Sequence, residues 1–201
     1  TATTGMDALT HAVEAYIGRS TTKLTRAMAE EAVTLIAKYL LRAYRDGQDA
    51  EARTQMLRAA HDAGIAFTRS YVGYVHGVAH SLGRQYGVPH GLANAVILPY
   101  FLEEYGPSCH KALARLARKA GIAEETATDE PAAKAFIAWV WEMNRAMEIP
   151  SCIPEIRIAD IPTLAAHAAK ESNPLYPVPK LMNARELETM YYRLMPREDT
   201  P

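Results

Sequence analysis

Apolar side chains recur three and four residues apart along most of this chain. GMDALTHAVEAYI opens the pattern, and a second run extends from Leu24 to Tyr44, where Leu24, Met28, Ala32, Leu35, Ile36 and Tyr39 mark one face before Asp46-Gly47 ends it. A third run goes from Asp49 to about Phe67. AVILPYFLEEY, HKALARLARKAG, PAAKAFIAWVWEMNRAM, DIPTLAAHAAKES and ARELETMYYRLM continue the same period, each bounded by Gly, Pro or Asn-Pro. No segment alternates as a strand would, no βαβ rhythm appears and no internal repeat is present. NPLYPVPKLMN, with Pro174, Pro177 and Pro179, predicts an extended connector before a last docking helix. The pattern predicts an all-α helical bundle, a single domain over residues 1–201.

Length supports this reading, because 201 residues can bury a core without disulfides or a structural metal. Charge narrows the partners. Lys and Arg number 22 against 23 Asp and Glu, a net charge of −1 with no long block of either sign, which argues against nucleic acid and against a polybasic membrane binder. Cys109 and Cys152 lie far apart and form no CxxC pattern, as suits a reducing cytoplasm, where the protein is expected. No apolar run reaches the roughly 18 residues of a membrane span. The opening TATTGMDALTHAVEAY enters an amphipathic pattern at once, without an initiator methionine, giving the expectation of a domain excised from something longer.

Candidate chemistry sits in two stretches. Asp7 and His11 are four apart, which on a helix puts both side chains on one face. In YVGYVHGVAHSLGRQYGVPHGLANAV, His76 and His80 share that spacing, and His90 follows Pro89 at the predicted start of the next helix, so an intervening turn aims it back at His76. One carboxylate and up to four imidazoles thus become available. Singly, such pairs are more often surface contacts or ordinary hydrogen bonds. Here they stand among residues predicted to be buried, where an unsatisfied polar group costs about 1–3 kcal/mol, and a divalent cation would satisfy the whole cluster. His61, His110 and His167 have no matching partners and read as surface or half-buried residues. GVPHGLAN lacks the preceding strand and the GxGxxG spacing of a pyrophosphate cradle. Gly73, Gly77 and Gly91 read as close-approach or turn positions, and Trp139, Trp141, Tyr191 and Tyr192 as packing aromatics.

Taken together, GMDALTHAVEAY, GYVHGVAHSLG and YGVPHGLANAVILPY resemble, in order and spacing, the signature segments of the iron-containing (group III) alcohol dehydrogenases, in their C-terminal helical domain of dehydroquinate synthase-like fold. The resemblance is strong to about Tyr105 and looser beyond. Carried over, it implies metal ligands at Asp7, His11, His76 and His90, and a further active-site histidine at His80. Ser81 departs from it, since many members have proline there. The implied chemistry is hydride transfer between a primary alcohol and NAD or NADP, with the metal as Lewis acid and His80 relaying the proton. A mixed nitrogen and oxygen donor set suits several divalent ions; the resemblance favours Fe(II), with Zn(II) second. It also implies a small alcohol or aldehyde substrate, and an N-terminal nucleotide-binding α/β domain that has no counterpart in this sequence. An uncovered face toward that domain would favour a homo-oligomer. Competing readings are a zinc polyol dehydrogenase or dehydroquinate-synthase-like lyase domain, a helical metal-dependent hydrolase, and a non-catalytic helical module.

Overall fold

The computed structural model describes residues 1–196, and among them every regular element is helical. In order these are α1 (Ala2–Ile17), α2 (Lys23–Arg45), α3 (Ala50–Ser70), α4 (Tyr74–Tyr86), α5 (His90–Tyr105), α6 (Pro107–Lys119), α7 (Asp129–Ala146), a 3-10 turn (Ile158–Asp160), α8 (Ile161–Ser172) and α9 (Ala184–Leu194). The predicted all-α bundle is what forms. No helix among the described residues is long and apolar enough to cross a membrane.

Two helices make the centre. α1 packs against α2, α3, α5 and α6, while α5 also meets α4, α7 and α9. An unbroken apolar run explains why α5 lies inside: Ala95 to Leu102 are all buried, so this part of the helix has no face to offer water. Pro99 falls within it and has no N–H for the carbonyl of Ala95. Asn144 of α7 supplies the missing donor, its Nδ2 reaching Ala95 O at 2.6 Å.

The remaining helices are held by caps and corners. Thr22 and Asn183 close capping boxes at the starts of α2 and α9, and Asp49 caps α3 through the Ala52 N–H. Between α3 and α4 the chain turns in three residues, with Tyr71 at φ 64°, a left-handed backbone that costs a non-glycine residue about 1–3 kcal/mol. Ser81 does not interrupt α4. Its hydroxyl donates to Val78 O at 2.8 Å and shares a hydrogen bond with Tyr191 of α9, a tie that proline could not make. Tyr74 ties α4 to the connector before α9. Its hydroxyl donates to Asn173 Oδ1 at 2.7 Å and accepts the Met182 N–H at 2.9 Å.

Two periodic positions depart from the sequence reading. Leu24 is exposed, because it sits in the first turn of α2, where it and Met28 line an open groove with Ile65 and Phe67 of α3. Tyr192 is also exposed, whereas its neighbour Tyr191 is fully buried. A helix turns about 100° per residue, so adjacent aromatics cannot both face the core.

Candidate metal centre

Asp7 and His11 project from successive turns of α1, His76 lies in the first turn of α4 and His90 is the first residue of α5. Close helix approach brings them together. Gly91 lets the start of α5 lie against α1, where a Cβ would stand 2.7 Å from the carbonyl oxygen of Thr3. Each of the four residues offers one ligand atom, and no two of these atoms are more than 4.8 Å apart. The rings of His11 and His76 stack at 4.5 Å between centroids, and His76 and His90 approach to 5.4 Å. His61 and His167 are exposed elsewhere and His110 is half-buried, none of them in the cluster.

Electrostatics decides what the cluster can do. Burial first, and then the neighbouring His76, push the His11 pKa down to about 4, and burial also lowers that of His90 despite the opposing pull of Asp7. Both rings are therefore neutral near pH 7 and keep a free lone pair. His76 Nδ1 lies 2.6 Å from Glu14 Oε2, and its Nε2 is buried without a hydrogen-bond partner. It stands 3.7 Å from Asp7 Oδ1, and His90 Nε2 stands 3.4 Å from the same oxygen. His76 Nε2 thus has no hydrogen-bond partner among the described residues, and a cation held among these atoms would give it one. Metal–ligand bonds of about 2.1 Å set tetrahedral edges of about 3.4 Å, so the donor set and its spacing fit a divalent ion.

Four side chains that sequence reasoning passed over complete the surroundings. Glu14, seven residues after Asp7 on the same face of α1, is buried and bonded to His76. Its position in the apolar stretch AVEAY was the available signal. Asn94, one turn after His90, donates from Nδ2 to Asp7 Oδ1 at 2.6 Å and lies 3.0 Å from His90 Nε2. His80 is outside the ligand set but stacks on His90 at 5.2 Å between centroids. Its Nδ1 lies 2.6 Å from Glu171 Oε1, which also accepts the Tyr176 hydroxyl at 2.9 Å. No local pattern connects residues about ninety positions apart.

The all-α domain gathers one carboxylate and three imidazoles from three helices. Residues 1–195 match the family model described as Fe-containing alcohol dehydrogenase family, C-terminal, and the chain belongs to that family. It is 40% identical over 174 residues to alcohol dehydrogenase 4 of Saccharomyces cerevisiae (strain ATCC 204508 / S288c), covering 86% of this chain and 44% of that protein. With 1,3-propanediol dehydrogenase of Klebsiella pneumoniae it shares 37% over 193 residues, 95% of this chain and 50% of the relative. Among solved structures, a 1,3-propanediol oxidoreductase superposes with a TM-score of 0.92 at 36% identity, over 97% of this chain and 51% of that one. An alcohol dehydrogenase from Oenococcus oeni gives 0.90 at 31%, over 96% and 51%. The chain thus spans about half the length of these relatives.

Proposed function

We propose that this chain is the metal-holding helical domain of an NAD(P)-dependent alcohol dehydrogenase, interconverting a primary alcohol and an aldehyde. The observation that carries it is the convergence of His76 Nε2 and His90 Nε2 on Asp7 Oδ1, with His76 Nε2 buried and without a hydrogen-bond partner. Asp7, His11, His76 and His90 are the ligands in this reading. Fe(II), to which the family name points, is the ion; Zn(II) suits the same donors and serves as the comparison. When bound, the ion supplies Lewis-acid polarisation of the alcohol or carbonyl oxygen, and the nicotinamide falls to the other half of a two-domain enzyme.

The chain's own residues then handle the proton. With Nδ1–H directed at Glu171, His80 keeps an Nε2 lone pair to accept the proton that the alcohol hydroxyl gives up. Glu171 stabilises the resulting imidazolium, and the Tyr176 hydroxyl fixes the carboxylate that does so. His80 has 42% of its side chain exposed, so the proton passes on to water.

Titration of the 201-residue chain with Fe(II) under anaerobic conditions, and with Zn(II), tests the centre. One ion per chain is expected, lost on replacing His76 or His90 by Ala and retained on His80→Ala. In the full-length enzyme, His80→Ala should lower turnover at unchanged metal content. Unchanged binding in both ligand variants would refute the assignment.

A further inference from the structure

Glu14 places a carboxyl group where polar groups are costly. Only 2% of its side chain is exposed, and an unpaired buried carboxylate would take up a proton or unfold its surroundings. The start of α4 is what holds it. Oε1 accepts the Val75 N–H at 2.9 Å and Oε2 meets His76 Nδ1 at 2.6 Å, both within the first turn of that helix. The N-terminal end of a helix carries partial positive charge and unsatisfied N–H groups, so it favours a negative partner. The N-cap residue itself, Gly73, has no side chain to offer. It has no room for one either, because a Cβ there would stand 2.5 Å from Glu14 Oε1. A carboxylate from α1 therefore caps α4 and grips the histidine in its first turn.

We propose that Glu14 is a positioning residue that fixes the tautomer and aim of His76, so that Nε2 faces the cluster as a lone pair; this rests on the metal-holding reading above. The reason lies in donor counting. Val75 N–H can only donate, and His76 must donate from Nδ1 if Nε2 is to remain unprotonated. The two donors meet different oxygens, Oε1 and Oε2, and in a carboxylate both accept, whereas an amide would turn an NH2 toward one of them. Asp7 and Glu14 together also bring two carboxyl groups to a centre for a divalent ion, one as a direct ligand and one through an imidazole. Partners that orient a ligating histidine through its other nitrogen typically govern metal affinity by 10- to 100-fold, about the size of effect expected here.

Glu14→Gln keeps the size of the side chain and breaks the counting. If its NH2 faces His76, the ring must move its proton to Nε2; if it faces Val75, two donors collide. Gly73→Ala leaves Glu14 in place and pushes its carboxylate aside. The probe is Co(II), whose visible spectrum reports its ligands, titrated into the 201-residue chain and each variant in competition with a chelator. Long-range 1H–15N correlation on the metal-free chains reads the His76 tautomer directly. The wild type should show Nδ1–H, and both variants should bind Co(II) at least about tenfold more weakly with an altered spectrum. In Glu14→Gln, His76 should also show Nε2–H signal. Wild-type affinity and spectrum in both variants, or Nε2–H in the wild type, would overturn the proposal. Failure of the wild type to bind Co(II) would sink the metal reading instead, and the tautomer measurement would still decide whether Glu14 sets His76.

Discussion

Replacing Gly91 by alanine perturbs the candidate centre through the backbone, leaving every donor atom in place. The added Cβ would lie 2.7 Å from Thr3 O, whereas ordinary contact begins at 3.4 Å, so α5 and α1 must separate there by about 0.7 Å. His90 is the adjacent residue and Asp7 is one turn along α1 from Thr3. A shift of that size exceeds the roughly 0.5 Å within which such constellations work. Overpacking costs about 1–3 kcal/mol, and the better helix propensity of alanine offsets up to about 1 kcal/mol of it. The expected outcome is a loss of stability of no more than about 3 kcal/mol, together with at least tenfold weaker metal binding. Gly64→Ala is the control. It lies within α3 with no outside atom within 4 Å of the new methyl, and should gain up to about 1 kcal/mol with unchanged affinity. Urea midpoints and chelator-competition titrations on both variants measure the two effects. Wild-type affinity in Gly91→Ala would refute the idea that helix spacing at Gly91 sets the donor cluster.

Tyr74→Phe should destabilise the chain by about 1–3 kcal/mol in urea unfolding, because it strips the buried Met182 N–H and Asn173 Oδ1 of their partner; a cost below 0.5 kcal/mol would show that other groups replace it. In the presence of a chelator, the stability of the folded chain should fall as pH drops. His11 titrates near 6.5 when unfolded and about 4 when folded, so its contribution is complete above 6.5 and is lost toward 4, a fall of roughly 3 kcal/mol at about 1.4 kcal/mol per pH unit. His11→Phe should flatten that profile, and an unchanged slope would rule out His11 as its source. Glu171→Gln should lower turnover of the full-length enzyme without changing metal content, since His80 loses its orienting carboxylate; metal loss would place Glu171 in the wrong role.

Much of this architecture is legible in period alone. The run AVILPYFLEEY has too few polar positions for a surface helix, and α5 duly lies at the centre. Pro89 before His90 marks the start of that helix, and the i, i+4 spacing of Asp7 and His11 puts both on one face. Outer partners are another matter. Glu171, itself held by Tyr176, meets His80 only because α4 lies along α8, a tertiary contact that no local pattern encodes. Glu14 was legible in principle, as a charge inside an apolar stretch, yet its partners at the start of α4 lie sixty residues away. Leu24 shows the converse, because periodicity reports which face an apolar residue occupies and says nothing of whether the next helix extends far enough to cover it.

The walls of the cluster are unequal. Glu14 and His76 retain 2% and 3% of their side-chain exposure, whereas His80 and His90 retain 42% and 44%. Anything that enters or leaves passes on the side of His80 and His90, so His90 serves both grip and traffic, whereas Glu14 and His76 serve grip alone. Changes on the sealed wall alter how tightly an ion is held at equilibrium. Changes at the open rim, at Tyr176 or Glu171, speed or slow arrival and departure by the same factor and leave the equilibrium constant where it was. Metal exchange rates and dissociation constants should therefore map onto opposite sides of the same four side chains.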